Sequence, residues 1–247
     1  MKKNLKIYIV FHKNYKPKIY DIIPNNFKFL TFYGVNNKQQ SKCDQLYEYE
    51  MPIYTNFYQQ NMYNEGSALY HLYVNKTYLL NNWIGIFQYD MRFNKFFFVD
   101  FENNQSNKNS IFYLRYFLNE LLFFREGMRG LIFSYPGFPA ALPYFNSFFK
   151  TNFTINDLDT MPLCNTFIIH KDLFKKMMIW MMPYFKKSFK LGDLISYTEN
   201  GKQIFINPGH LIEAYTGLFL GLHIKMGYHP VKLNAIHDHD IKNKVKK

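Results

Sequence analysis

The chain has 247 residues, 48% hydrophobic and 20% aromatic, and 30 Lys and Arg against 18 Asp and Glu give it a net charge of +12. That is enough apolar sequence for a sizeable core, and the basic balance favours acidic partners such as nucleic acid, an anionic membrane or a phosphorylated small molecule. Two distant cysteines, Cys43 and Cys164, exclude a zinc spacing and a disulfide framework, and no apolar run is long enough to span a bilayer.

The start, MKKNLKIYIVFHKN, begins like a signal peptide, but its apolar stretch Ile7 to Phe11 is too short for one. LKIYIVFH reads instead as a buried parallel strand. A loop with Pro17 and Pro24 follows, then a second strand in FKFLTFYGV ending near Gly34. Residues 36–56 read as polar and irregular. The spacing of Ala68, Leu69, Leu72 and Tyr73 predicts a helix in NEGSALYHLYVNKTYL, with Asn64 as its N-cap and Glu65 in its first turn.

NNWIGIFQYD reads as a strand, and NKFFFVDF as another with Asp100 at its end. SIFYLRYFLNELLFFREG is expected to be a helix closed by Gly127, and GLIFSYPGFP a strand running into a turn. PLCNTFIIH is a further strand. KDLFKKMMIWMMPYFKKSFK is an amphipathic helix that Pro183 should kink or divide, its methionines facing the core. NPGHLIEAYTGLFLGLHIKMG is the last helix. The expected fold is α/β: a mostly parallel sheet with helices on both faces, in one domain over residues 1–240 with a disordered basic tail at 241–247. Ligands of such sheets sit at the carboxyl ends of strands, which singles out Phe11 and His12, Asp90, and Asn165.

Four colinear blocks resemble a GT-A-type glycosyltransferase family found in bacterial polysaccharide loci and large DNA viruses. They are KIYIVFHK; NEGSALYHLYVNKTYLLNNWIGIFQYDMRF; PLCNTFIIHKDLFKKMMIWMMPYF; and GHLIEAYTGLFLGL. The resemblance implies a Rossmann-like domain and a nucleotide-sugar-dependent hexosyl- or deoxyhexosyltransferase. Its donor would be UDP- or GDP-linked, its acceptor a glycan or glycoprotein, and Mn²⁺ or Mg²⁺ would assist; the presence of plausible general bases favours inversion. Where the bacterial proteins carry arginine this chain has Asp90, and Asp90-Met91-Arg92 resembles half of an Asp-x-Asp metal motif, with Arg92 in place of the second carboxylate.

A departing nucleoside diphosphate gathers negative charge that a cation on a strand-end carboxylate, or an Arg clamp, can stabilise. Mg²⁺ needs only one or two protein carboxylates beside the phosphates, so Asp90 alone suffices as metal ligand, with Arg92 assisting. As a structural residue, Asp90 would cap a turn and pair with Arg92. Phe11, His12 and Tyr15 follow the first strand, where nucleobase and ribose are expected; a buried strand end with a solvent-facing His is the alternative. Glu65 either faces the nucleotide or complements its helix dipole. An inverting transferase needs a general base near the acceptor hydroxyl. Glu213 is the first candidate, with His210 three residues earlier on the same helix face as orienter; Asp159 ranks next.

His237-Asp238-His239-Asp240 is a tempting metal cluster but lies beside the basic tail, and four adjacent polar residues rarely converge; it stays outside the expected site. No P-loop or nucleophilic triad appears. The expected location is the cytoplasm, or the host cytoplasm for a viral protein, with at most peripheral contact to a membrane. A catalytically inactive sugar- or nucleotide-binding protein is the first rival reading, and a basic nucleic-acid-binding protein the second, although no nucleic-acid motif is present.

Overall fold

The computed structural model describes residues 4–11, 30–34, 44–61, 63–89, 91–93, 97–114, 138–158, 162, 165–192, 196–199, 202–205, 208–233 and 235–237. The strands are β1 (Leu5–Phe11), β2 (Leu30–Gly34), β3 (Asp44–Tyr47), β4 (Trp83–Gln88), β5 (Met91–Phe93), β6 (Ser110–Leu114), β7 (Phe167–His170), β8 (Ser196–Glu199), β9 (Lys202–Phe205), β10 (His229–Leu233) and β11 (Ala235–His237). The helices are α1 (Phe57–Gln60), α2 (Glu65–Val74), α3 (Phe97–Asn104), α4 (Phe138–Phe149), α5 (Lys171–Gly192) and α6 (Pro208–Lys225).

Seven strands form one sheet in the order β10-β6-β7-β4-β1-β2-β3. All pairings are parallel except those of β7, which runs antiparallel to both β4 and β6. The fold class is therefore as expected. Val10, Tyr33, Ile84, Ile86, Phe167 and Ile169 share one core cluster with the apolar faces of α2, α4, α5 and α6. On the opposite face α3 lays Phe101 edge-on to Trp83, 5.7 Å between ring centroids, and against Phe112 at 5.2 Å. Gly85 sits where β4 is gripped from both sides: a Cβ there would lie 2.8 Å from Ile7 and 3.0 Å from Ile168.

Several expectations are corrected. Within NKFFFVDF, Phe97 to Phe101 are helical rather than extended and open α3, with Asp100 inside the helix and the Asn104 side chain donating to the Asp100 carbonyl at 2.8 Å. SIFYL is not helical. It is β6, because its aromatic and branched residues fill a central position between β7 and β10; the rest of that expected helix, with Gly127, lies outside the described residues. The polar stretch before residue 56 holds β3 and the 3₁₀ turn Glu48–Glu50. Pro183 does not divide α5, which is continuous over 22 residues. Pro183 and Ile179 both lie on the exposed stripe of the helix. Met177, Met178 and Met181 are buried, as expected. The Pro17 loop, the GLIFSYPG segment, both cysteines and the 241–247 tail fall outside the described residues.

The 3₁₀ turn after β3 carries a buried acidic group. The Glu48 carboxyl accepts hydrogen bonds from Tyr33 Oη (3.0 Å), Ser67 Oγ (2.8 Å to each oxygen) and Gln59 Nε2 (2.9 Å). His71 Nε2 accepts the Thr55 backbone N–H at 3.1 Å, which leaves the ring proton on Nδ1. Nδ1 stands 3.0 Å from both the Ser67 carbonyl and Glu48 Oε1. The Asn75 side chain brackets Ile53 through both its N–H and its carbonyl, each at 2.8 Å. These bonds fasten the connection from β3 along the outer side of α2.

Candidate functional site at the carboxyl edge of the sheet

The segment β3-β2-β1-β4 has the order of a doubly wound sheet, in which the direction of winding reverses between β1 and β4. Ligands of open α/β sheets bind outside the carboxyl ends of the strands at such a reversal. Here that mouth lies beyond Phe11 of β1 and Gln88 of β4, whose ends are level through the pairing Val10↔Gln88. Because β7 is antiparallel, it is the amino end of β7, preceded by Asn165, that lies beside the end of β4.

Two helices present their first turns at the same edge. α2 ends near Lys76 and is followed by β4 starting at the opposite edge, so its N-terminus, with Glu65, points to the mouth. α6 likewise ends shortly before β10 begins, which puts its N-terminus, with His210 and Glu213, at the mouth. The two helices cross in tight contact: a Cβ on Gly66 would lie 3.1 Å from Ile212 Cγ2. Glu65 and Glu213 are each the sequence neighbour of a residue in that crossing. Glu65 is buried and Glu213 half-buried. His210 is exposed as a residue, yet the protein around its imidazole desolvates the charged form and lowers its pKa. A neutral imidazole suits a base or a metal ligand.

Backbone geometry at this edge is unusual. Asn64 has φ 50° and ψ −119°, with no side-chain capping bond, so it occupies the cap position without capping. It is the second residue of a tight turn closed by the Gly66 N–H donating to the Tyr63 carbonyl at 2.8 Å. Asn165 has φ 43°, is 3% exposed, and its Oδ1 has no hydrogen-bond partner among the described residues. Left-handed residues and unpaired buried acceptors each cost stability and gather at functional sites.

Beyond β4 the chain passes residue 90 and enters β5, which pairs antiparallel with β11: Met91↔His237, Arg92↔Ile236 and Phe93↔Ala235. The start of the His237–Asp240 run is thereby set against the residue that follows Asp90. The pairing, which composition does not reveal, brings the first residue of the run, His237, beside β5; the other three lie outside the described residues.

Of the residues singled out from sequence, Glu65, Asn165, His210 and Glu213 lie on elements that meet at this edge. Phe11 is at the edge too, but its ring is buried in the sheet's core rather than presented for stacking. Arg92 is placed on β5 by its backbone. His12, Tyr15, Asp90 and Asp159 lie outside the described residues. Among the described residues no group of three or more His, Cys, Asp or Glu is gathered as a metal site.

No protein-family profile and no curated protein matches the chain. A solved structure, that of the apo form of the bifunctional glycosyltransferase WbbM, is similar over 94% of this chain with 15% sequence identity and a TM-score of 0.48. The match covers 45% of that chain, so the present sequence spans less than half its length.

Proposed function

We propose that the chain is a nucleotide-sugar-dependent glycosyltransferase of GT-A type, which moves a sugar from a UDP- or GDP-linked donor to a glycan or glycoprotein acceptor. The observation that carries this reading is the β5–β11 pairing at the reversal point of the sheet. It pairs Met91–Phe93, which follow Asp90 in sequence, with Ala235–His237, two segments far apart in the chain, at the edge where an open α/β sheet takes its ligand. The four sequence blocks that resemble the family supply the same assignment independently.

In this reading Asp90, with a contribution from the His237 segment, holds Mn²⁺ or Mg²⁺. Carboxylate and imidazole donors suit Mn²⁺ well, and a divalent ion there would neutralise charge on the diphosphate leaving group. Arg92 adds positive charge beside it. His12 and Tyr15 meet the nucleoside, with Phe11 supporting them from the core. Glu65 and Asn165 contact the donor from the α2 and β7 sides. Glu213 takes the proton of the acceptor hydroxyl, a role that fits inversion, and His210 orients it; Asp159 is the second candidate for the base.

The test is release of nucleoside diphosphate from a panel of nucleotide sugars, with and without Mn²⁺. Release from one donor class, dependent on metal, supports the reading. Tight nucleotide binding without release from any donor, even with acceptors added, would favour an inactive binding protein instead.

A further inference from the structure

The outer stripe of α5 is chemically unlike the rest of the helix. Its inner face, from Leu173 to Phe185, is buried. Its outer stripe runs Asp172, Lys175, Lys176, Ile179 and Pro183, all exposed. Ile179, 42% exposed, sits in the middle with Lys175 and Lys176 one turn before it. The sequence puts Lys186 and Lys190 seven and eleven residues after Ile179, at positions that continue the stripe.

A second apolar element adjoins its first turn. The 3₁₀ turn Thr77–Leu80 exposes Leu79 at 48% and Leu80 at 76%. It is fixed to α5 by Tyr78, whose ring lies 5.3 Å from Phe174, and by the Lys171 N–H, which donates to the Asn82 carbonyl at 2.8 Å. Exposed Lys76 precedes the turn. Two adjacent exposed leucines thus stand beside the start of α5, whose exposed stripe carries Lys175, Lys176 and Ile179. Among the described residues of this face, Lys76, Lys175 and Lys176 stand against one acid, Asp172.

We propose that this face docks on an anionic lipid surface, with Leu79, Leu80 and Ile179 entering the headgroup boundary and the lysines meeting lipid phosphates. Lysine stems lie along apolar surface while their ammonium groups reach outward, as a peripheral contact requires. The charge complements an acidic leaflet, and exposed aliphatic side chains have no comparable use on a nucleic acid, where aromatic stacking and phosphate contacts dominate. No helix among the described residues is long and apolar enough to cross a membrane, so the contact is peripheral. At about 33 Å, α5 runs from the edge where β4 begins toward the edge where α6 starts, so docking along it brings the candidate site to the side of the membrane plane. The inference is independent of the transferase reading.

Co-sedimentation of the full chain with vesicles tests it. Vesicles of phosphatidylcholine with phosphatidylserine should bind the protein, phosphatidylcholine alone should not, and binding should fall with salt. The double substitution K175Q/K176Q should weaken binding about thirtyfold. L79S/L80S should also weaken it while leaving the salt dependence unchanged, and K150Q/K232Q, the same charge loss elsewhere, should have much less effect. Unchanged melting temperatures would show that the variants fold. Equal losses in the two lysine pairs would overturn the proposal in favour of general charge attraction. Tighter binding to single-stranded RNA than to anionic vesicles, insensitive to L79S/L80S, would overturn it in favour of a nucleic-acid face.

Discussion

His237 on β11 stands opposite Met91 on β5, so the last strand among the described residues ends against the residue that follows Asp90 in sequence. The pairing gives His237 a reason to matter that its neighbourhood in sequence does not. His237→Ala should raise the Mn²⁺ concentration required for nucleotide binding about tenfold, the size of effect seen when support for a metal ligand is removed. Calorimetric titration of the metal at fixed nucleotide measures it. An unchanged metal requirement would leave the β5–β11 pairing as a structural device alone.

Glu213 on α6 and His210 one turn before it are expected to act together. Glu213→Gln should lower kcat by a factor of about 100 to 10,000, the range for a positioned base, with little change in donor KM. His210→Gln should cost less and move the acid limb of the pH profile. Desolvation already holds the His210 imidazole below its ordinary pKa, so that limb should lie below pH 6.5 in the native protein. A Glu213→Gln enzyme of normal rate would transfer the role to Asp159.

The Glu48 network is expected to hold the fold rather than perform chemistry. Glu48→Ala leaves Tyr33, Ser67 and Gln59 without their shared acceptor in a buried site and should destabilise the protein by about 3 kcal/mol. Glu48→Gln retains an acceptor and should cost less. Urea unfolding followed by circular dichroism distinguishes the two.

Stability should depend on pH through His223. It is buried against Phe145, Phe149 and Phe219, and burial lowers its pKa to about 4 despite the bond of Nδ1 to the Phe219 carbonyl at 2.8 Å. Between pH 6.5 and about 4 the unfolded chain takes up a proton there that the folded chain does not, so stability falls as the solution is acidified through that window. The contribution is about 3 kcal/mol over the whole interval. His223→Leu should flatten this part of the stability profile; an identical slope in the variant would assign the acid sensitivity elsewhere.

Sequence and structure agree where local pattern and tertiary context demand the same thing. β1, β4, α2 and α6 were legible because each is either a short apolar run or a helical repeat long enough to leave no rival. FFVDF and SIFYL were exchanged between strand and helix because both lie in nearly continuous aromatic runs, without a period to decide between them. Trp83 and Phe112 decide the first by receiving Phe101, and the places of β7 and β10 decide the second. The antiparallel run of β7, α4 with its internal Pro143, and strands β8 to β11 left little trace in the pattern. At the candidate site, strand-end logic pointed to Asn165, while Asp90 lies outside the described residues; the strain at Asn64, the Gly66–Ile212 crossing and the pairing of His237 depend on long-range contacts that no single stretch encodes.

Donor binding measured by thermal shift tests the central claim most directly. UDP, GDP and their sugar conjugates would be added with and without Mn²⁺ to the native chain and to Asp90→Ala. One nucleotide class should raise the melting temperature of the native chain only with metal. At a hundredfold excess over Kd the gain is about 2.7 kcal/mol, and it should vanish in Asp90→Ala while the unliganded variant melts normally. No shift with any nucleotide, with or without metal, would contradict the transferase account.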